Sequence, residues 1–335
     1  MTLKTLAIET SCDETSVSII EDGRKILSNV ILSQINTHKF FGGVVPEIAS
    51  REHLEAINYV IKQAFEKADI KFKDIDIIAV TKGPGLIGAL LVGVSAAKGM
   101  SLALKKPLVG VNHMQGHICA NYLAHEELKP PFISLVVSGG HTYLVDVKDY
   151  TEYEVIGRTK DDAAGESFDK ISRALGLGYP GGPAIQKAAE KGNPKAIDFP
   201  RVMLEKDSYD FSFSGLKTAV LNYLNTQKMQ KKEIVIEDVA ASFQAAVLDV
   251  LLAKSIRLVE EKKADKFVLS GGVAANKVLR QMLEEKLTEK NVKFYYPPIE
   301  LCTDNAAMIG SAGHFNYMKY GEDKLDMDVF PNLEL

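Results

Sequence analysis

The sequence predicts an α/β protein in which one pattern of strands, tight turns and helices occurs twice. Three observations carry that prediction. Leu6-Ala-Ile-Glu-Thr-Ser-Cys-Asp-Glu-Thr-Ser-Val-Ser-Ile-Ile20 is two apolar arms around a small, polar, acidic centre, the layout of a β-hairpin with a functional turn rather than of a helix. Residues 133–147 repeat it, with ISLVV and YLVDV enclosing Ser138-Gly139-Gly140-His141-Thr142. Ile77–Gly88 and Phe267–Asn276 then each run as apolar strand, glycine-rich turn and helix-forming stretch. The same units in the same order describe an internal duplication with a cleft between its halves.

Composition agrees with this frame. With 335 residues, 46% hydrophobic and 25% charged, the chain is an ordinary globular sequence, which excludes disorder, collagen and coiled coil. At about 150 residues per domain the length gives about two domains. No apolar run is expected to span a membrane, because LIGALLVGVSAAKGMSLAL is interrupted by Lys98 and several glycines. With the strand-like TLAIE so soon after Met1, no secretory signal is expected. Cys12, Cys119 and Cys302 lack regular spacing, as expected of a reducing cytoplasm rather than a disulfide framework. A net charge of −4 means that any nucleic-acid contact must come from local patches.

Long helical stretches connect the repeated units. Over Pro46–Ala68, Ile48, Leu54, Ile57, Ile61 and Phe65 recur near helical spacing between charged residues. Ile236–Lys263 is longer and richer in Ala, Val and Leu, as a helix covering a sheet should be. Lys228, Lys231 and Lys232, and the mixed run Glu284–Lys293, read as solvated faces, the first with an RNA-backbone contact as its alternative.

The candidate chemistry lies at the turns. His113-Met-Gln-Gly-His117 puts two imidazoles on one helix face a turn apart, the spacing of two nitrogen ligands to a metal and equally of ordinary histidines. Asn112 can cap that helix, and the strand PLVGV feeds it, so the pair sits at a strand's C-terminal edge where α/β sites form. His125 reads as incidental. A zinc protease would need Glu after the first His, where this chain has Met114. Asp304, in Cys302-Thr-Asp-Asn305, is either the N-cap of the following Ala/Gly-rich helix or a third, anionic ligand. Ser138-Gly139-Gly140 is either a phosphate cradle or a tight hairpin turn. Ser270-Gly-Gly-Val-Ala-Ala-Asn276 opens a helix, and Asn276 either reaches a ribose or base edge or caps that helix. Gly178-Tyr-Pro-Gly-Gly-Pro183 is a fixed loop against which a flat ring can lie. Asp161, Asp162 and Gly165–Lys170 read as acids at a helix start, explained by the macrodipole alone.

In order along the chain, ETSCDET, KGPGL, NHMQGH, VSGGHT, GESFDK, YPGGP, FSFSGLK, SGGVAAN and CTDNAAM together resemble the TsaD family. This is the bacterial branch of the universal tRNA threonylcarbamoyltransferases, once described as a sialoglycoprotein endopeptidase. The resemblance implies the two-lobed actin/sugar-kinase/heat-shock-ATPase fold, each lobe with a five-stranded mixed sheet of ribonuclease H type. The expected division is 1–112 plus 306–335 as a partner-binding N-terminal lobe and 113–305 as a C-terminal lobe, with the metal and nucleotide site at the cleft.

The implied reaction moves a threonylcarbamoyl group from threonylcarbamoyl-AMP to the exocyclic amine of the adenosine beside the anticodon, in tRNAs reading codons that begin with adenine. AMP leaves. His113, His117 and Asp304 then bind one divalent metal, iron or zinc, and Val136, Val137, Ser138, Gly139, Gly140, Asp169, Gly182 and Asn276 contact substrate. Some members carry an acid after YPGGP, where this chain has Ala184-Ile-Gln186. Asp13 and Glu14 are candidates for moving the proton or orienting the adenosine, with solvated turn residues as the alternative. Implied partners are the paralogue TsaB, docking on the Pro46–Ala68 region, the ATPase TsaE and a TsaC-type threonylcarbamoyl-AMP synthase. The rival readings are a small-molecule kinase of the same superfamily, whose first turn would carry Asp-Gly-Thr, and a non-catalytic scaffold lacking the metal motif.

Overall fold

The structure is a computed structural model and describes residues 2–202 and 208–335. The chain divides into two compact units. One holds the chain through Pro130, Lys148–Tyr153 and Tyr296–Leu335; the other holds Pro131–Val147 and Glu154–Tyr295.

The first unit begins with the expected hairpin, β1 (Lys4–Glu9) antiparallel to β2 (Glu14–Glu21), extended by β3 (Lys25–Ser33). A short helix α1 (Ile35–His38) leads to α2 (Pro46–Ala68), β4 (Ile77–Gly83), α3 (Ile87–Leu104), β5 (Leu108–Asn112) and α4 (His113–Ala124). The second unit carries β6 (Phe132–Val137), β7 (Thr142–Asp149), β8 (Glu152–Arg158), α5 (Ala164–Ala174), α6 (Gly181–Ala189), α7 (Ser214–Met229), α8 (Ile236–Lys262), β9 (Lys266–Ser270), α9 (Lys277–Glu289) and β10 (Lys293–Tyr295). The chain then returns to the first unit with α10 (Ile299–Cys302) and α11 (Ala306–Tyr320).

Among the described residues the strands form two five-stranded sheets, β3-β2-β1-β4-β5 and β10-β9-β6-β7-β8. Read from the other edge, the second order is the first with each strand replaced by its counterpart. In both, the hairpin is antiparallel while the two strand–turn–helix units add parallel strands.

Strand periodicity decides what covers the first sheet. Leu6, Ile8, Val17 and Ile19 face one way and join Ile57, Ile61 and Phe65 of α2 and Leu90 and Val94 of α3 in one buried cluster. Ala7 and Ile20 face the other way, toward α11. That helix sits close because Gly310 and Gly313 have no side chain. A Cβ at Gly313 would lie 2.4 Å from Cβ of Ala79.

Two expectations are corrected. Helices Ile87–Leu104 and Ile236–Lys262 are each long and apolar enough to cross a membrane by length and composition: glycines and the single Lys98 do not break the first run, and the second holds an 18-residue window with no more than two charged residues. In this fold α8 is mostly buried in the second unit and α3 lies with one face on the first sheet. The lobe boundary expected at 112/113 falls instead at Pro130, and the one expected at 305/306 falls at Tyr295, because α4 packs against α11 in the first unit.

Candidate metal centre

Helix α4 starts where β5 ends, and Asn112 caps it, its side-chain oxygen accepting from the N–H groups of Met114 (2.8 Å) and Gln115 (3.4 Å). Capping fixes the first turn, so His113 and His117 project from one face. Gly116 between them lets α4 approach α11, since a Cβ there would come 2.7 Å from Ile309 Cδ1. The N-cap of α11 is Asn305, whose Oδ1 accepts from Met308 N at 3.1 Å. Asp304 is therefore released from capping, and one reading of it is closed. Its Oδ1 lies 3.3 Å from Nε2 of both histidines. Ligand atoms of His113, His117 and Asp304 all fall within 4.8 Å of one another. All three belong to the first unit.

Beneath them sits a residue that sequence reasoning misses. Glu9, wholly buried at the end of β1, accepts from the Ser11 backbone N–H at 2.5 Å and from the Thr81 hydroxyl. Its Oε2 lies 3.1 Å from Nδ1 of His113, and Ser11 Oγ lies 3.2 Å from the same nitrogen. With Nδ1–H given to Glu9, Nε2 of His113 presents a lone pair toward Asp304, the outer-carboxylate arrangement that orients metal-binding imidazoles. The available signal is an acid ending an otherwise apolar strand at its C-terminal edge.

The electrostatics fit a cation. Burial opposes charge on His113, but Asp304 and Glu9 overcome it and hold its pKa well above the ordinary value. Burial pushes His117 below its ordinary value. Burial also opposes charge on Asp304, yet the two histidines hold it well below the usual carboxylate range. Both ring nitrogens of His117 are buried without a well-formed hydrogen bond among the described residues, Nε2 meeting only Asp304 at 3.3 Å. A buried polar atom left unpaired is costly, and a cation in the Nε2–Oδ1–Nε2 gap would satisfy Nε2.

The first hairpin turn runs beside this cluster and is clamped to α3: Thr10 Oγ1 donates to Ala89 O at 2.8 Å, and Leu86 N donates to Ser11 O at 2.8 Å. Asp13 is buried, so the solvated alternative does not describe it. Glu14 accepts from Ser33 Oγ at 3.1 Å, and burial followed by Asp13 raises its pKa well above normal.

The remaining candidates lie in the second unit. Val136 and Val137 are buried at the end of β6. Ser138 closes a turn: its N–H donates to His141 O at 2.9 Å, and its Oγ accepts from His141 N at 3.2 Å. Gly139 and Gly140 are exposed, and a Cβ at either would meet nothing within 4 Å. Around this turn the backbone packs tightly: a Cβ at Gly165 would lie 2.4 Å from Ser138 O, and one at Gly271 2.4 Å from Val137 O. Asp169 Oδ1 accepts from Gly181 N at 2.6 Å, tying α5 to the YPGGP loop, while Gly182 faces open space. Asn276 does cap α9, accepting from Leu279 N at 3.0 Å, and its amide donates to Gln244 at 2.9 Å. Gln186, in the Ala184-Ile-Gln186 stretch after the YPGGP loop, accepts from Lys277 N at 3.1 Å.

Asp161 and Asp162 precede α5 and do more than meet its dipole. Asp161 receives the hydroxyls of Ser212 and Ser214 and the N–H of Phe213, and Asp162 receives Lys170 and Lys217. They staple the FSFSGLK segment to the start of α5.

Duplicated five-stranded mixed sheets with helices on their faces are shared by solved structures of known class. The chain is similar to full-length HypF (TM-score 0.64, 18% identity, covering 95% of this chain and 47% of that one). It is also similar to the ROK hexokinase of Thermus thermophilus (TM-score 0.53, 13% identity, covering 95% and 99%). These likenesses place it in the actin-like ATPase and sugar-kinase fold class.

A family profile described as tRNA N6-adenosine threonylcarbamoyltransferase matches residues 25–311. Two curated proteins of that name are 58% identical over 99% of this chain and 98% of the Clostridioides difficile (strain 630) protein, and 56% identical over 99% and 98% for Clostridium kluyveri. The chain belongs to the TsaD family of tRNA N6-adenosine threonylcarbamoyltransferases.

Proposed function

We propose that the chain transfers the threonylcarbamoyl group from threonylcarbamoyl-AMP to the exocyclic amine of the adenosine beside the anticodon, in tRNAs reading codons that begin with adenine. The observation that carries this reading is the convergence of His113, His117 and Asp304, backed by Glu9, in a chain of this family.

The donor is a mixed carbamic–phosphoric anhydride, so the demand on the protein is placement, charge stabilisation and removal of one proton. The amine nitrogen bonds to the carbamoyl carbon, the bond from that carbon to the phosphate oxygen breaks, and AMP departs with the electron pair. A divalent cation held by His113, His117 and Asp304, iron or zinc, would supply Lewis-acid polarisation of the donor. Glu9 and Ser11 fix the ring of His113, and Glu9 keeps its tautomer. Asp13 or Glu14, at the buried turn, orients the amine and receives its proton.

In the second unit, Val136, Val137, Ser138, Gly139 and Gly140 offer backbone to the adenylate, and Gly182, set by Asp169, leaves room for its flat ring. Asn276 serves mainly by holding the start of α9, with Gln244 as its second partner.

TsaB is the proposed partner on α2, where Leu54 and Tyr59 are exposed. A TsaC-type synthase supplies the adenylate, TsaE acts as the ATPase, and the work is cytoplasmic, where tRNA is found. In a reconstituted mixture of these proteins with threonine, bicarbonate, ATP and tRNA, label from threonine should enter tRNA. His113→Ala and Asp304→Ala should reduce it to background; label at the wild-type rate in both overturns the assignment.

A further inference from the structure

Opposite the side of the first hairpin turn that meets His113, a buried hydrogen-bond relay ends on the same turn. It begins at Val45, whose backbone N–H donates to Nδ1 of His38 at 3.3 Å. Nε2 of His38 therefore carries the proton and donates to Gln34 Oε1 at 3.0 Å. The Gln34 amide donates to the Ala49 carbonyl and to Nδ1 of His53, both at 3.3 Å. Thr15 Oγ1 shares that nitrogen at 2.7 Å, which leaves Nε2 of His53 to donate to the Cys12 carbonyl at 2.9 Å. Gln34 also donates its backbone N–H to the Asp13 carbonyl at 2.9 Å.

The directions are consistent throughout: each imidazole is a neutral Nε2–H tautomer with both nitrogens used. His38, His53 and Thr15 are wholly buried, and burial lowers the pKa of His53 in keeping with a neutral ring. A hairpin needs no such relay for stability, because apolar side chains would fill the same space without polar groups to satisfy. What the relay adds is direction, since it fixes two consecutive carbonyls, of Cys12 and Asp13, beside the two acidic side chains of the turn.

We propose that His53 is a positioning residue for the transfer reaction, acting with Gln34, Thr15 and His38 to hold the Cys12–Asp13 backbone so that Asp13 and Glu14 face the reacting amine. This rests on the reading that the acidic turn serves the transfer.

The test is single-turnover transfer in the reconstituted complex, with metal content measured on each purified variant. His53→Ala should lower kcat about 10- to 100-fold, the usual span for an outer-shell partner, while KM for tRNA and bound metal stay within about twofold. His53→Gln, whose amide can both donate to Cys12 and accept from Thr15, should recover most of that loss. Thr15→Val, which removes only a hydroxyl, should lower kcat several-fold and serves if His53→Ala fails to fold. Wild-type kcat in His53→Ala, or in Thr15→Val where His53→Ala does not fold, overturns the proposal. Loss of metal in His53→Ala, or no recovery in His53→Gln, overturns it in favour of a merely structural role. Asp13→Asn and Glu14→Gln run alongside. Full activity in both removes the reading of the turn itself, whereas their loss beside an active His53→Ala removes only the role given to His53.

Discussion

The two hairpin turns occupy the same place in duplicated sheets and are built in opposite ways. The β1–β2 turn is crowded with side chains: Glu9, Ser11 and Asp13 are buried, and Thr10, Ser11 and Cys12 are each tied to another element. The β6–β7 turn has few side chains of its own, closing on the Ser138–His141 pair, with Gly139 and Gly140 exposed and a Cβ at either meeting nothing within 4 Å. One frame thus presents acids and imidazoles, which suit cation and proton chemistry. The other presents two exposed glycines, whose missing side chains leave room for a close approach to the backbone. Duplication supplied two equivalent positions, and the sequence filled them with different residues.

The comparison breaks most visibly at the cation cluster. His117→Ala should drop bound divalent metal from near stoichiometric to background by elemental analysis, while Gly140→Ala in the β6–β7 turn leaves metal content unchanged. Next comes Glu9→Gln, which keeps the shape but weakens the hold on Nδ1 of His113. Metal affinity should fall about 10- to 100-fold in chelator competition, and unchanged affinity would show that the buried acid is not an outer partner. Third, Gly85→Ala forces a Cβ to 2.6 Å from the Ser11 carbonyl oxygen. It should destabilise the first unit by about 1–3 kcal/mol in thermal unfolding.

A smaller effect is expected at Asp162→Asn, which loses two lysine partners. Burial opposes ionisation of Asp162, but Lys170 and Lys217 outweigh it and depress its pKa. Its contribution is therefore present above the unfolded carboxylate pKa of about 3.9 and fades as pH falls through the lower folded value. The stability gap between variant and wild type should be about 1 kcal/mol near neutrality and shrink in acid. Smallest is Gly140→Ala itself, whose stability should stay within about 0.5 kcal/mol of wild type. A larger loss would mean that the space beside Gly140 is not open.

Most of the frame is legible without coordinates. Period-two alternation locates both hairpins, and the bounds of Pro46–Ala68 hold to the residue because Pro at its first position and its charged spacing mark it. The lobe boundaries are not legible, since whether α4 belongs with β5 or with β6 depends on α11, far along the chain. His113, His117 and Asp304 are visible as residue types. The choice between cap and ligand for Asp304 turns on whether Asn305 takes the cap, which spacing alone leaves open. Glu9 gives only a weak signal, because an acid ending an apolar strand looks like ordinary solvation until its burial is known. His38 and His53 are silent: each lies in a polar stretch, and only tertiary packing shows that their partners are internal.

The return of α11 to the first sheet has a consequence for how the protein is made. Strand β1 is among the earliest segments to leave the ribosome, yet the helix that lies against it, and the aspartate just ahead of that helix, are synthesised only after the whole second unit. A chain that stops before Asp304 carries only His113, His117 and Glu9, so the three-residue cluster can assemble only once synthesis is nearly finished.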